Sequence, residues 1–192
     1  VFSNSIDLFK SAGVDLLVSD SSLIRMCRNK LLTADLFRSL SIQVPEILNS
    51  HDLTFPCFMK PVGGSCSQGI KKIFSRNDLS HSDIENPLNM FQQMVPANWI
   101  EYTADLYYSK AGTMLACVPR QRLETRGGEI SKGITRKDQV WHYLKNRLGY
   151  LKGARGVITV QLFTDPSRSQ FLGIEINPRF GGGYPMSHAS GI

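Results

Sequence analysis

Glu175-Ile176-Asn177-Pro178-Arg179-Phe180-Gly181-Gly182-Gly183 is the stretch on which the reading of this chain turns. On a strand, residues two apart share a face, so Glu175 and Asn177 project together while Ile174 and Ile176 point to the opposite, apolar side. A carboxylate and an amide oxygen side by side are hard donors suited to Mg²⁺, which keeps some water and completes its shell with substrate phosphates. Arg179, just past the strand, offers a fork for phosphate oxygens, and the three glycines let backbone approach a ligand closely. A surface strand with a polar stripe and a glycine turn is the plain alternative. Glu-x-Asn alone would leave that alternative standing; the nine residues together favour a binding site.

Working outward, the sequence predicts a hairpin of Val157–Phe163 and Phe171–Asn177 around Asp165-Pro166-Ser167. Gln161 has the side-chain parity to face Glu175 and add a third oxygen. Upstream, Trp99–Tyr108 and Thr113–Val118 read as an antiparallel pair across Lys110-Ala111-Gly112. Thr135–Leu148 reads as an amphipathic helix with Val140, Trp141, Leu144 and Leu148 in one stripe and Gly149 as its stop. In the first half, Asn29–Ser41 predicts a helix, and Pro56–Pro61 and Ile70–Phe74 are short strands bracketing a glycine-bearing loop. Asp78–Asn86 reads as polar surface and Met90–Val95 as a further strand. Ile6–Ser19 reads as a short helix, a turn at Gly13 and a buried strand Val14–Val18, the tail of an α/β unit. Strand pairs interrupted by a few helices predict an α+β fold of packed lobes.

Three further groups carry chemistry. Lys60 ends a strand and the loop Val62 to Gly69 then offers peptide N–H groups to an anion. A Walker loop differs, because its Lys follows the glycines and opens a helix. An exposed lysine beside an ordinary glycine hairpin competes evenly with this reading. Gln92-Gln93-Met94-Val95 followed by Glu101 can present extended backbone to an adenine and a carboxylate to ribose hydroxyls, although alone Glu101 reads as a surface acid and Met94 as core. Arg120, Arg122 and Lys132 sit beside Gly127-Gly128 and Gly133, where arginine forks suit carboxylate or phosphate oxygens. The four histidines form no spaced pair, and no G-x-S-x-G elbow or Cys with a nearby base exists, so covalent catalysis by the protein is disfavoured.

Charge and composition set the frame. Between Lys110 and Arg155 there are 11 basic and 3 acidic residues, a positive stretch that attracts anions. For Lys145, Arg147, Lys152 and Arg155 a solvated basic face is the plainer account. No nucleic-acid motif accompanies the charge, and a nucleotide explains it as well. No apolar run approaches the ~20 residues needed to cross a bilayer. Cys27, Cys57, Cys66 and Cys117 are widely spaced without C-x-x-C, which reads as reduced cytosolic thiols rather than a disulfide framework or zinc site. The missing initiator Met and abrupt end read as a piece of a longer polypeptide.

From about Arg28-Asn29-Lys30 to its end, the chain resembles the ATP-grasp superfamily, in the branch of the ATP-binding domains of carbamoyl phosphate synthase and related carboxylate–amine ligases. The resemblance rests most specifically on Phe58 to Gly69, Gln161 and Glu175 to Gly183. It implies two α+β lobes clasping a nucleotide: residues 22–95 as the N-terminal lobe with its glycine-rich loop, 96–192 as the C-terminal lobe, and 1–21 as the tail of a preceding α/β domain. It implies that Lys60 contacts ATP phosphates, that Ser65 to Gly69 belong to the glycine loop covering them, and that Lys30 matches a basic residue that reaches the nucleotide. Gln93, Met94 and Val95 fall at the adenine hinge, Glu101 at the ribose, Gln161, Glu175 and Asn177 at the metal ligands, and Arg179 at the phosphate-contacting Arg. Two features depart from the pattern: Gln92-Gln93 stands where Glu is usual, and Pro96-Ala97-Asn98-Trp99-Ile100 replaces a shorter glycine-containing connection.

The expected activity is ATP-dependent ligation with Mg²⁺ (or Mn²⁺), in the cytoplasm: a carboxylate is activated as an acylphosphate, ADP leaves, and an amine-type nucleophile attacks. Arg120, Arg122 and Lys132 would hold the anionic substrate, and a homodimer is open to it. The rivals are a small-molecule kinase on the same fold and a non-catalytic basic module binding nucleotide or nucleic acid.

Overall fold

In a computed structural model, the residues described are 2–64, 69–126 and 129–190. Two antiparallel sheets organise them. The smaller combines β1 (Ile47–Leu48), β2 (Cys57–Pro61), β3 (Lys71–Ile73) and β4 (Asn89–Gln93) in the order β1-β4-β2-β3. The larger combines β5 (Ile100–Tyr108), β6 (Met114–Arg126), β7 (Glu129–Thr135), β8 (Gly156–Thr164) and β9 (Phe171–Asn177) in the order β7-β6-β5-β8-β9. The helices are α1 (Ile6–Ser11), α2 (Ser21–Arg28), α3 (Lys30–Ser39), α4 (His81–Glu85), α5 (Gln139–Leu148) and α6 (Tyr184–Ala189). The architecture is α+β, as the sequence predicts.

Each sheet packs one apolar face into a core. In the larger sheet Tyr102, Ala104, Leu106, Tyr108, Ile158, Val160, Leu162 and Ile176 enter one core with Leu23 and Cys27 of α2, Phe37 of α3 and Val140, Leu144 and Leu148 of α5. Each of the three fully buried α5 side chains contributes about 1.5–3 kcal/mol by leaving water. A second, smaller core of Cys57, Met59, Ile73 and Phe91 holds the other sheet together. Since strand side chains alternate, filling one face with apolar residues sends Glu101, Thr103, Asp105, Thr159, Gln161, Glu175 and Asn177 to the other.

The helix ends follow local chemistry. Asp20 caps α2 by accepting from the Leu23 N–H at 2.7 Å, Asn29 caps α3 from Leu31 and Leu32, and Asp138 caps α5 from Val140 at 3.0 Å. The Asp138 cap is why α5 begins at Gln139 rather than at Thr135. It ends before Gly149 because the Gly149 carbonyl accepts from Met114 N–H at 2.8 Å and the Leu148 carbonyl from the Tyr108 hydroxyl at 2.7 Å.

Several local expectations are corrected. Val14–Val18 forms no strand, since no described strand lies beside it to complete a ladder, and Val14 and Leu17 are exposed. This segment is instead pinned by side chains: Asp15 pairs with Arg155 at 2.7 Å and with Lys110, and Ser19 Oγ accepts from Arg155 N–H at 3.2 Å. Ser21–Arg28, for which the sequence suggested no element, is a helix, the polar surface stretch 78–86 contains the short α4, and the strand after Gly112 continues to Arg126 because β7, which the sequence reading lacked, pairs with it.

Candidate functional site

The polar face of the larger sheet places the oxygen donors. Gln161 lies directly opposite Glu175, and Thr159 opposite Asn177; cross-strand partners of this kind have Cβ atoms ~4.5–5.5 Å apart on one face. A β-bulge just beyond Gln161 skips Ile174 and pairs Leu162 with Gly173. The extra residue switches parity along β9, so Gly173 faces the core while Glu175 and Asn177 face the polar side. Gly173 is required there, because a Cβ would sit 2.8 Å from the Phe37 ring. Among the described residues no cluster of three His, Cys, Asp or Glu side chains can hold a metal ion. Glu175 thus offers one carboxylate and Gln161 and Asn177 two amide oxygens on one face, hard donors of the kind Mg²⁺ takes together with water and phosphate oxygens.

Two cations stand elsewhere, Lys60 on the smaller sheet and Lys30 at the start of α3. Lys60 on β2 is 8% exposed, and its Nζ donates to Gln92 Oε1 at 2.6 Å. Gln92 is itself fixed, donating through Nε2 to the Pro45 carbonyl at 3.2 Å. Burial pulls the Lys60 ammonium down from 10.5 to about 8, Lys30 pushes the same way, and Glu175 opposes both. Lys30 opens α3; its backbone N–H donates to the Val62 carbonyl at 2.8 Å and its Nζ to the Gly64 carbonyl at 3.3 Å. The glycine-bearing loop joins antiparallel β2 and β3, so it is a hairpin loop and not a strand-to-helix Walker turn. Gly69 holds φ +73° with Pro61 Cγ 2.9 Å from where a Cβ would stand; Ser65 lies outside the described residues.

The connection between the sheets runs from Gln93 to Ile100. Gln93 is exposed, and its N–H is engaged by the Glu46 carbonyl at 2.8 Å. Met94 and Val95 follow, half-buried and outside any strand. Glu101, the second residue of β5, lies on the polar face and pairs with Arg122 at 2.8 Å. Burial raises the Glu101 carboxyl above its ordinary value, and Arg122 partly offsets this.

The basic trio does not converge. Arg120 is fully buried with Asp105 at 2.6 Å and touches Ser187. Arg122 faces Glu101, and Lys132 on the exposed strand β7 pairs with Glu124 at 2.6 Å. Arg179 is exposed, its Nη1 donating to the Phe180 carbonyl at 2.9 Å. The sequence reading did not single out Gln92's side chain, Asp105, Thr159 or Ser187. Asp105 was discernible, since it shares parity with Glu101 in Glu-Tyr-Thr-Ala-Asp; Ser187, in a six-residue helix, carries no pattern. Buried Cys27 and half-buried Cys117 have thiols pushed up to about 12, chiefly by desolvation, which removes them as nucleophiles at neutral pH.

The profile of the ATP-grasp domain matches residues 27–183. The chain belongs to the ATP-grasp family. Solved structures agree on this ATP-grasp fold. N5-carboxyaminoimidazole synthetase from Staphylococcus aureus, complexed with ADP, superposes with a TM-score of 0.70 at 18% identity over 96% of this chain and 53% of that one. The biotin carboxylase domain of Hydrogenobacter thermophilus 2-oxoglutarate carboxylase, in complex with MgADP and bicarbonate, gives 0.68 at 12% identity over 95% and 46%. L-amino acid ligase from Bacillus licheniformis gives 0.65 at 16% over 95% and 48%. The chain thus spans about half the length of each of these proteins. No curated protein matches it in sequence. No helix among the described residues is long and apolar enough to cross a membrane.

Proposed function

We propose that this ATP-grasp chain is the nucleotide-binding part of a ligase that activates a substrate carboxylate as an acylphosphate and passes the acyl group to an amine-type nucleophile, forming a carbon–nitrogen bond and releasing ADP. The observation that supports the reading is that Gln161, Glu175 and Asn177 share the polar face of the larger sheet, while Lys60 is buried on the smaller sheet and Lys30 reaches the Gly64 carbonyl of the loop that follows it. Such oxygens and cations together suit a metal-bound triphosphate.

Lys60, held by Gln92, and Lys30 would contact phosphate oxygens, with backbone N–H groups of the loop from Gly63 to Gly69, including Ser65, above them. Met94 and Val95, with Gln93, would flank the adenine, and Glu101, oriented by Arg122, would accept from ribose hydroxyls. Gln161, Glu175 and Asn177 would hold Mg²⁺ or Mn²⁺, which when bound neutralises charge on the β- and γ-phosphates. Arg179, exposed at the end of β9, would orient the transferred phosphoryl group. Arg122, paired with Glu101, and Lys132, paired with Glu124, would turn to the anionic substrate when it binds. Phosphate is a good leaving group, so positioning and charge carry the chemistry without a protein nucleophile, in keeping with the inert thiols.

The test is ADP formation from ATP in the presence of candidate carboxylates and hydroxylamine, which traps an acylphosphate as a hydroxamate. ADP matched by hydroxamate supports the ligase; a stable phosphoester in its place makes the protein a kinase.

A further inference from the structure

We propose that Asp105 is a positioning residue for the phosphate-contacting arm, one buried carboxylate that ties down both ends of the glycine bend and so sets where Asn177 and Arg179 point. The proposal rests on the nucleotide reading above and deepens it.

The sheet ladder ends at Asn177, opposite Thr159. Beyond it the backbone has no strand partner, so the orientation of Arg179 must come from other bonds. Thr159 Oγ1 supplies one as a bifurcated donor, its single proton shared between Asp105 Oδ1 at 2.9 Å and the Arg179 carbonyl oxygen at 3.1 Å. At the far end of the bend, Ser187 Oγ on α6 donates to Asp105 Oδ2 at 2.6 Å. Arg120 Nη1 donates to the same oxygen at 2.6 Å. Between the two ties the backbone passes close to the same groups: a Cβ on Gly183 would lie 2.8 Å from Arg120 Nη2, closer than side chains pack, and one on Gly181 a tight 3.0 Å from Thr159 Oγ1. Entry, middle and exit of the bend therefore all rest on groups that converge on Asp105.

Asp105 is 1% exposed, and Arg120 and Ser187 are 0% exposed. With Gly181 and Gly183 packed over it, the set acts through Arg179 and Asn177 and not by direct contact with a ligand. A buried ion pair adds little net stability over an apolar core of equal volume but does fix geometry. The trio expected to hold substrate accordingly splits, Arg120 serving the arm from beneath.

The test compares Thr159→Val, which removes the hydroxyl at nearly constant shape, with Thr159→Ser, which keeps it, and with Ser187→Ala, which cuts the exit tie. Calorimetry reads the affinity for Mn²⁺ with AMP-PNP, a non-hydrolysable ATP analogue, and for metal-free ADP, beside the melting temperature. Thr159→Val and Ser187→Ala are expected to weaken Mn²⁺·AMP-PNP by about tenfold or more, the range seen when groups supporting metal ligands are removed. Metal-free ADP binding is expected to hold, and Thr159→Ser to recover the loss. Unchanged Mn²⁺·AMP-PNP affinity in natively melting Thr159→Val, or equal losses for both nucleotides, overturns the proposal; if Thr159→Val does not fold, Ser187→Ala decides by the same criteria. A wild type that binds neither nucleotide sinks the functional reading and this proposal with it. Wild-type binding that survives intact in both variants sinks this proposal alone.

Discussion

Raising the pH should detach the nucleotide by discharging Lys60. Its ammonium is buried against Gln92, and desolvation with the nearby Lys30 charge brings its titration to about 8 despite the opposing field of Glu175. A phosphate favours the charged form, so bound nucleotide raises this value, and affinity falls as pH climbs through the free-protein value. Between about pH 7 and about pH 9.5 the charged fraction drops from nine-tenths to a few hundredths, which translates to an affinity loss of about thirtyfold. Cys27 and Cys117, held near 12, remain protonated across this window. Lys60→Arg keeps a cation that does not titrate there, and so isolates the effect. The assay is calorimetric or fluorescent-nucleotide binding at saturating Mg²⁺ across the range. A flat wild-type profile, or an equal slope in Lys60→Arg, would refute the reasoning. For folding, the sign is set by the unfolded chain binding more protons than the folded one between about 8 and 10.5. The Lys60 contribution to stability is therefore absent below about 8, rises through this window, and is lost again as pH falls through it.

Arg120→Ala should leave the Asp105 carboxylate buried without its ion-pair partner and cost about 3–5 kcal/mol, read as a large fall in denaturant midpoint; a loss below about 1 kcal/mol would show that the pair relaxes into solvent. Gly183→Ala, with its Cβ forced to 2.8 Å from Arg120 Nη2, should cost about 1–3 kcal/mol as overpacking, and an unchanged melting temperature would mean the bend yields freely. Cys27, desolvated and near Glu175, should resist a thiol reagent at neutral pH until the protein unfolds; rapid labelling of the native chain at this residue would contradict its burial.

Legibility in the sequence followed the reach of each signal. Period-two alternation located β5, β8 and β9 to within a residue or two at each end, and with them the shared face of Gln161, Glu175 and Asn177. The bulge at Ile174 that makes this register work has no local sign, because it is set by Phe37 packing on Gly173 from a distant helix. Arg120 and Arg122 do share a face, yet their acidic partners, Asp105 and Glu101, come from the neighbouring strand, and pairing across strands is invisible to spacing along one. The glycines at 181 and 183 were legible as close-approach residues, but what they approach is the buried Arg120 and Thr159. Val14–Val18 had the composition of a strand and lacks one, since a ladder needs a partner and apolar composition cannot supply it.

Oxygens on β8 and β9 are proposed to hold a metal-bound triphosphate together with Lys60 and Lys30, and Mg·ATP titration of the wild type beside Glu175→Ala tests this most directly. Saturable binding by the wild type, with the variant losing Mg·ATP affinity far more than affinity for metal-free ADP, is the predicted result. Equal Mg·ATP affinity in the two proteins would contradict it.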